Sequence, residues 1–157
     1  LARTEVRPVL DRLMRVMQKL NREIEFSIDD GVPGALLAME QQDIEEIVGN
    51  LLENAARFAR SSIRLTLAPL EDEGSRERLE LAIEDDGPGL DPDQIKEAMK
   101  RGKRLDESRP GSGLGLSIVS EIVAEYDGRF TLTRGAGGGL RAILILPVIA
   151  QERPKRG

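Results

Sequence analysis

The sequence predicts an α+β fold, a two-layer α/β sandwich in which a mixed, mostly antiparallel sheet carries three helices on one face. Segments with apolar residues at three- and four-residue spacing alternate with segments in which every second residue is apolar. Each segment therefore has one apolar face, and helices and strands of this kind bury their faces most simply as two layers. Two hairpin-like connections make much of the sheet antiparallel.

The first three elements are a helix, a strand and a second helix. A helix is predicted over residues 5–22, where five apolar side chains follow a four-three spacing: Val6, Leu10, Leu13, Met17 and Leu20. Residues 24–28 alternate apolar and polar side chains, as in a half-buried strand, and a turn-prone Asp30-Gly31 pair follows them. The second helix begins near Glu40 and keeps an apolar stripe along its length.

Two strands and a third helix come next in the chain. The strands are predicted at 63–67 and 79–83, and the polar stretch 71–77 joins them as a hairpin. The third helix carries the apolar side chains of 118–126, and we expect it to end near Gly128, because glycine commonly terminates helices.

A second hairpin completes the predicted sheet. It consists of the alternating segment 130–132, a glycine-rich turn at 135–139 and a nearly continuous apolar strand over 140–146. We therefore expect residues 1–149 to form one domain and residues 150–157 to form a polar C-terminal tail.

The composition excludes several kinds of chemistry. The 157 residues include 23 basic and 28 acidic side chains, a net charge of −5, and neither histidine nor cysteine. Without cysteine the chain forms no disulfide, zinc–thiolate site or thiol nucleophile. Without histidine it contains no Ser-His-Asp triad and cannot form a phosphohistidine on itself. Its apolar runs are far shorter than the roughly 20 residues of a membrane-spanning helix.

The regular pattern breaks between Asp85 and Gly115, where glycines and charged residues accumulate. Residues 96–109 hold six bases and three acids, whereas residues 71–93 hold ten acids and two bases. Loops longer than about 12–15 residues are usually functional or disordered. Cations concentrated in one glycine-flanked loop of an acidic protein indicate an anion-binding loop, with a solvated flexible loop as the alternative.

A glycine cluster opens the third helix directly. In Gly111-Ser112-Gly113-Leu114-Gly115, glycines let backbone amides approach a ligand closely. The free N–H groups and the dipole of a helix N-terminus favour phosphate. The alternative is a plain turn. A Rossmann site is disfavoured, because its glycine motif follows a strand directly and here a polar loop comes first.

Two further groups of polar residues lie next to apolar elements. Asp85 follows the 79–83 strand within a glycine-rich turn, where its carboxylate could accept a hydrogen bond from an exocyclic amine; a tight turn is the alternative. On the second helix, Asn50, Asn54 and Arg57 share one face. Amide oxygens suit Mg²⁺, which keeps several waters and shares its ligand shell with nucleotide phosphates. The alternative is a solvated surface.

Taken in order, these segments resemble the ATP-binding domain of bacterial sensor histidine kinases, within the superfamily that also includes gyrase, Hsp90 and MutL. Residues 50–58 resemble the N box, residues 85–89 the G1 box and residues 111–119 the G2 box. The resemblance implies the Bergerat (GHKL) ATP-binding fold, with an ATP lid over about residues 90–111. The lid is most similar to that of the PhoQ subgroup.

The resemblance implies a role for each matching residue. Asp85 would accept a hydrogen bond from the adenine amino group, and Asn54 with Asn50 would hold Mg²⁺ on the triphosphate. The implied catalytic residues are Asn50, Arg57, Arg104 and Arg109. The implied nucleotide-binding residues are Asn54, Arg57, Phe58, Asp85, Gly87, Gly89, Arg104, Arg109, Gly111, Ser112, Gly113, Leu114 and Gly115. Arg57, Phe58, Asp86 and Ser112 stand where the family commonly has lysine, tyrosine, asparagine and, in the PhoQ subgroup, glutamine.

The activity that the resemblance implies is that of a protein histidine kinase, in which the γ-phosphate of ATP passes to a histidine on a separate dimerisation domain. The implied partners are ATP, Mg²⁺, that domain and a response regulator, without nucleic acid. The parent would be a homodimeric inner-membrane sensor kinase, and this chain its cytoplasmic catalytic part.

Two alternatives come from other functional classes. An ATPase of the gyrase or MutL type would need a glutamate four residues before Asn54 to activate water, and Asn50 cannot act as a base. Glu46, one turn earlier, would serve only if Asn50 were the metal ligand. The second alternative is a degenerate interaction module of the nucleotide-binding type, which binds a partner without nucleotide.

Overall fold

The structure, a computed structural model, describes residues 2–71, 77–102 and 115–149. Its helices are α1 (Val6–Leu20), α2 (Gln41–Phe58), α3 (Pro92–Gly102) and α4 (Gly115–Glu125). Its strands are β1 (Thr4–Glu5), β2 (Glu25–Asp30), β3 (Leu36–Leu37), β4 (Ser62–Glu71), β5 (Glu77–Asp85), β6 (Arg129–Arg134) and β7 (Leu140–Pro147). The expected polar tail at 150–157 lies outside the described residues.

Five strands form a mixed sheet in the order β2-β4-β5-β7-β6. Strands β2 and β4 are parallel, because α2 crosses over between them, and the other neighbours are antiparallel. The register places Leu65 opposite Ile83 and Ile83 opposite Ala142, so the apolar side chains of successive strands share one face. The short strands β1 and β3 form a separate antiparallel pair.

The apolar face of the sheet packs against α1, α2 and α4 in one continuous core. Its opposite face carries ion pairs between neighbouring strands, in which Glu84 lies 3.6 Å from Arg64 and 3.5 Å from Arg141. The predicted two-layer α+β fold is therefore confirmed. Among the described residues, no helix combines the length and the apolar character that crossing a bilayer requires.

The predicted apolar face of α1 was partly wrong. Val6, Leu10 and Met17 are buried as expected, but Leu20 is 74% exposed. The helix ends at Leu20, and the backbone and side-chain amides of Asn21 both cap the carbonyl of Met17, at 2.9 and 3.0 Å. The buried side of α1 therefore stops one turn before the four-three pattern does.

Residues 92–102 form a helix where the sequence predicted only a loop. A capping box begins α3: the Asp91 amide donates to Gln94 Oε1 at 2.9 Å, and the Gln94 amide donates to Asp91 Oδ1 at 2.8 Å. Pro92 occupies the first helical position, where its missing N–H costs nothing. Ile95, Ala98 and Met99 pack against the core, so this part of the expected lid is folded.

Candidate functional site

The site is built around Asp85, the last residue of β5. This carboxylate is only 5% exposed, and it is the one buried charged side chain in the described part of the chain. Its Oδ1 accepts hydrogen bonds from the backbone amides of Gly87, at 2.8 Å, and Leu140, at 3.4 Å. Because both of these bonds end on Oδ1, Oδ2 is the oxygen available to a ligand.

The surroundings of Asp85 shift the pKa of its carboxyl in opposite directions. Burial raises the pKa of the carboxyl, since the charged form loses hydration. The hydrogen bonds from Gly87 and Leu140 lower this pKa, and the neighbouring charges of Asp86 and Glu84 raise it further. The balance is a raised pKa, which is typical of a carboxylate kept in a binding cleft rather than in an ion pair.

Two glycine turns hold Asp85 by close backbone packing. A Cβ on Gly139 would overlap the Asp85 carbonyl and lie 2.9 Å from Asp85 Oδ1. A Cβ on Gly87 would overlap the carbonyl oxygen of Phe58 and lie 3.0 Å from the same Oδ1. Gly89 has a φ of +71° and packs on the carbonyl of Gly138, so the two turns interlock.

Asp86 connects the residues that follow α2 to the end of β5. Its Oδ1 accepts hydrogen bonds from the amides of Arg60, at 2.8 Å, and Ser61, at 2.9 Å, and its Oδ2 accepts from the Ser61 hydroxyl. Hydrogen bonds from the side chain and then the backbone of Ser61 hold the pKa of Asp86 well below its usual range. The residue thus joins the two elements that carry the site.

We expect Asp86→Asn to destabilise the domain by about 1 kcal/mol at pH 7, because the amide nitrogen cannot accept from the Ser61 hydroxyl. Because the pKa of Asp86 is lowered in the folded protein, its ionised carboxylate stabilises the fold at pH values above the pKa of the unfolded chain, which is near 3.9. This stabilisation is lost as the pH falls through the pKa of the folded state. Urea denaturation at pH 2 to 7 should show the difference between the variant and the wild type narrowing progressively below about pH 4. A constant difference down to pH 2 would contradict this assignment; Glu53→Gln, on the exposed side of α2, is the control.

Helix α2 places the predicted amides beside Asp85. Asn54, Arg57 and Phe58 line the same cleft as Asp85. Asn50 lies one turn earlier, where its Nδ2 donates to the Glu46 carbonyl at 2.7 Å. The amide of Asn50 packs directly on the first residue of α4, since a Cβ on Gly115 would lie 2.7 Å from Asn50 Oδ1.

These residues surround a cavity of about 370 Å³ between α2, α3 and the ends of β5 and β7. This volume lies in the range of small-molecule sites. Asn54, Arg57 and Asp85 supply polar groups to its lining, and aliphatic side chains come from four other elements, α3, α4, β6 and β7. The lining residues are Asn54, Arg57, Phe58, Asp85, Pro88, Gly89, Leu90, Ala98, Leu116, Leu132 and Leu140.

The structure brings most of the predicted site residues that it describes into this one place. Asn54, Arg57, Phe58, Asp85 and Gly89 line the cavity. The other three are not part of its lining: Gly87 packs against Phe58 and Asp85, and Gly115 packs against Asn50. The remaining predicted residues lie outside the described part of the chain. They are Arg104, Arg109, Gly111, Ser112, Gly113 and Leu114.

Sequence reasoning missed several residues of the cavity. Leu132 and Leu140 belong to the second hairpin, and Ala98 belongs to the unpredicted helix α3. The Asp91-Pro92-Asp93-Gln94 segment was a usable signal for α3, because it has the form of a capping box. No local signal marks Gly139, whose importance comes from its contact with Asp85.

The donor set fits Mg²⁺ that is held mainly by phosphate oxygens and water. The described residues contain no cluster of three or more acidic side chains that could hold a metal ion by itself. Asn50 Oδ1 faces the space that a side chain on Gly115 would fill, and Asn54 faces the cavity. Amide oxygens of this kind can complete the shell of a hard cation whose other ligands come from a nucleotide.

Comparison with known proteins places the chain in a family. Residues 39–150 match the model of the "Histidine kinase-, DNA gyrase B-, and HSP90-like ATPase" family. The chain is 38% identical to sensor protein kinase CarS of Pseudomonas aeruginosa over 95% of its length, and 31% identical to sensor protein PhoQ of Escherichia coli over 89%. It spans 32% and 28% of the lengths of these two relatives.

Solved structures show the same fold. The ATP-binding domain of PrrB from Mycobacterium tuberculosis superposes with a TM-score of 0.75 at 19% identity, over 95% of this chain and 98% of that domain. The family match and the sensor kinase relatives confirm the resemblance drawn from the three sequence motifs, to an ATP-binding domain of the histidine kinase type. The chain belongs to the family of histidine kinase-, DNA gyrase B- and HSP90-like ATPases.

Proposed function

We propose that residues 1–149 form the catalytic domain of a sensor histidine kinase. The domain binds ATP with Mg²⁺ and presents the γ-phosphate to a histidine on a separate dimerisation domain. This histidine must lie outside the sequence, since the chain contains none. The acceptor domain, a response regulator partner, a homodimeric parent and its attachment to the inner membrane are parts of the proposal.

One observation carries the choice of a kinase over a water-activating ATPase. The residue one turn before Asn54 is Asn50, an amide that is already used as a donor to the Glu46 carbonyl. An amide cannot take a proton from water. Among the described residues, Asp85 is the one carboxylate that lines the cavity, and its Oδ1 already accepts two backbone hydrogen bonds. These observations support transfer to an external acceptor.

The lining of the cavity supports a specific orientation for ATP. The aliphatic wall that includes Leu116, Leu132 and Leu140 suits the faces of a purine and excludes water from it. Asp85 Oδ2 would accept a hydrogen bond from the exocyclic amine, which selects adenine over guanine. With the base placed there, Asn54 and Arg57, which line the same cavity, would face the phosphates.

We propose the contacts to the phosphates of ATP from the residues of the three sequence motifs and the lid. Mg²⁺, held by Asn54 and Asn50, would neutralise charge on the triphosphate when bound. Arg57 adds a cation beside the cavity. Arg104, Arg109 and the backbone of 111–114 would contact the phosphates from the lid. In phosphoryl transfer such positioning and charge neutralisation contribute most of the catalysis.

The test supplies the acceptor in trans. The chain is incubated with γ-labelled ATP and Mg²⁺, first alone and then with a separately expressed dimerisation domain that carries the acceptor histidine. We expect binding without self-labelling or appreciable hydrolysis in the first case, and acid-labile labelling of the added domain in the second. Hydrolysis by the chain alone that Glu46→Gln abolishes and Glu53→Gln preserves would favour the ATPase instead.

A further inference from the structure

Helix α1 presents an apolar surface that neither the core nor the proposed nucleotide site uses. Val16 is 54% exposed and Leu20 is 74% exposed, and these are the two most exposed large aliphatic side chains in the described part of the chain. With half-buried Leu13 they follow a three-four spacing, so they form one stripe along the C-terminal half of the helix. This stripe lies beside the buried side of α1.

Cations border the stripe. Residues 1–22 contain six basic and two acidic side chains, whereas the whole chain has a net charge of −5. Arg15 and Lys19 are exposed, and no described residue forms an ion pair with either of them. Arg12, on the same side of α1, pairs with Glu45 of α2 at 3.1 Å. We call Arg12, Arg15, Val16, Lys19 and Leu20 the α1 surface.

The neighbouring part of α2 leaves this surface open. Helices α1 and α2 run in the same direction, since the Thr4 hydroxyl donates to the Met39 carbonyl at 2.7 Å where both begin and Arg12 pairs with Glu45 further along. Gly49 and Val16 therefore each lie one helical turn beyond this ion pair, on the same side of it. A Cβ on Gly49 would meet no atom within 4 Å. A partner could therefore pack on the stripe without displacing α2.

We propose that the α1 surface docks an acidic, amphipathic helix of a partner protein. The apolar stripe of the partner would cover Val16 and Leu20, and its carboxylates would pair with Arg15 and Lys19. Two amphipathic helices pack through apolar side chains at three- and four-residue spacing, and α1 presents such a stripe. The charge complementarity follows from the cations that this acidic chain keeps together on one helix.

A protein partner fits these observations better than a membrane surface. The main apolar face of α1, with Val9, Leu10 and Met14, is already buried in the core. Two aliphatic side chains without an aromatic residue form too small a face for insertion into a lipid interface. The docking face is also separate from the nucleotide site, since Asn50 lies about 100° around α2 from Gly49.

The test uses NMR titration of the isotope-labelled protein. The probe is a synthetic helical peptide of about 18 residues, with leucines at helical spacing and glutamates on its other faces. We expect shifts confined to α1 and the Gly49 side of α2. Leu20→Ser should raise the dissociation constant about tenfold, and Arg15→Gln with Lys19→Gln should weaken binding and reduce its salt dependence. The thermal midpoints of these surface variants should stay close to that of the wild type.

Matched controls keep the result interpretable. Leu70→Ser changes an exposed aliphatic residue on β4 and should leave the affinity unchanged. A peptide with lysine in place of every glutamate should not bind. Absence of binding, or shifts elsewhere on the domain, would overturn the proposal. So would binding to vesicles of phosphatidylcholine and phosphatidylglycerol without binding to the acidic peptide, because that result would identify a membrane surface.

Discussion

Asp85→Asn is expected to remove most of the affinity for ATP while the domain stays folded. The asparagine Oδ1 can still accept from the Gly87 and Leu140 amides, so the local backbone keeps its hydrogen bonds. The amide nitrogen then takes the place of Oδ2. Its N–H group would face the N–H group of the adenine amine, so no hydrogen bond can form there. Loss of a hydrogen bond to a charged group costs about 1.5–3 kcal/mol, which is roughly ten- to hundredfold in the dissociation constant.

The same substitution should not lower stability. The pKa of Asp85 is raised in the folded protein, so its stabilising contribution is present at low pH and is lost as the pH rises through the folded-state pKa. At pH 7 the buried ionised carboxylate therefore opposes folding, and a neutral amide of the same shape removes that cost. We expect the thermal midpoint of Asp85→Asn at pH 7 to equal or exceed that of the wild type.

A fluorescent ATP analogue with Mg²⁺ measures the affinity, and scanning calorimetry measures the midpoint. Asp86→Asn is the matched control, since it changes the adjacent carboxylate, whose partners Arg60 and Ser61 lie away from the cavity. It should bind the analogue with nearly unchanged affinity. Unchanged binding by Asp85→Asn would remove the basis for assigning Asp85 to adenine recognition.

Gly139→Ala is expected to disturb both folding and nucleotide binding. The new Cβ would overlap the Asp85 carbonyl and lie 2.9 Å from its Oδ1, so either β7 or the end of β5 must move. Overpacking of this kind costs about 1–3 kcal/mol, which lowers the thermal midpoint by roughly 2–12 °C in a domain of this size. Because either movement changes how this turn holds the Asp85 carboxylate, the affinity for ATP should fall as well.

Gly137, which lies in the same turn as Gly139, provides a control. A Cβ on Gly137 would meet no atom within 4 Å, and no positive φ is found there, so Gly137→Ala should leave stability and affinity close to the wild type. Calorimetry and the same fluorescent analogue compare the two variants. Equal behaviour of Gly139→Ala and Gly137→Ala would show that the turn does not position Asp85.

Most elements of the fold were predictable because their signals are local. The strands over 63–67 and 79–83 alternate apolar and polar residues, and the structure contains β4 and β5 there. Periodicity could not show where the core ends. Leu20 fits the stripe of α1 and is nevertheless exposed, because burial depends on what lies beneath the helix.

The polar residues of the site were predictable from the sequence, but the residues that enclose the cavity were not. Asp85, Asn54 and Arg57 could be identified from motif order and spacing, and the structure places all three on one cavity. Helix α3 was missed because its apolar residues are few and its start is marked by a capping box rather than by a stripe. Its Ala98 nevertheless completes the cavity wall.

The period of each element, the lack of histidine and cysteine, and the chemical groups of the three motifs can all be read from the amino-acid sequence. Each of these is a property of neighbouring residues or of composition. The folded structure was needed to show that Leu140, 55 residues further along the chain, hydrogen-bonds Asp85, and that Gly139 must lack a side chain beside it. Such contacts depend on which strands become neighbours, and sheet order is set by packing of the whole core rather than by any local pattern.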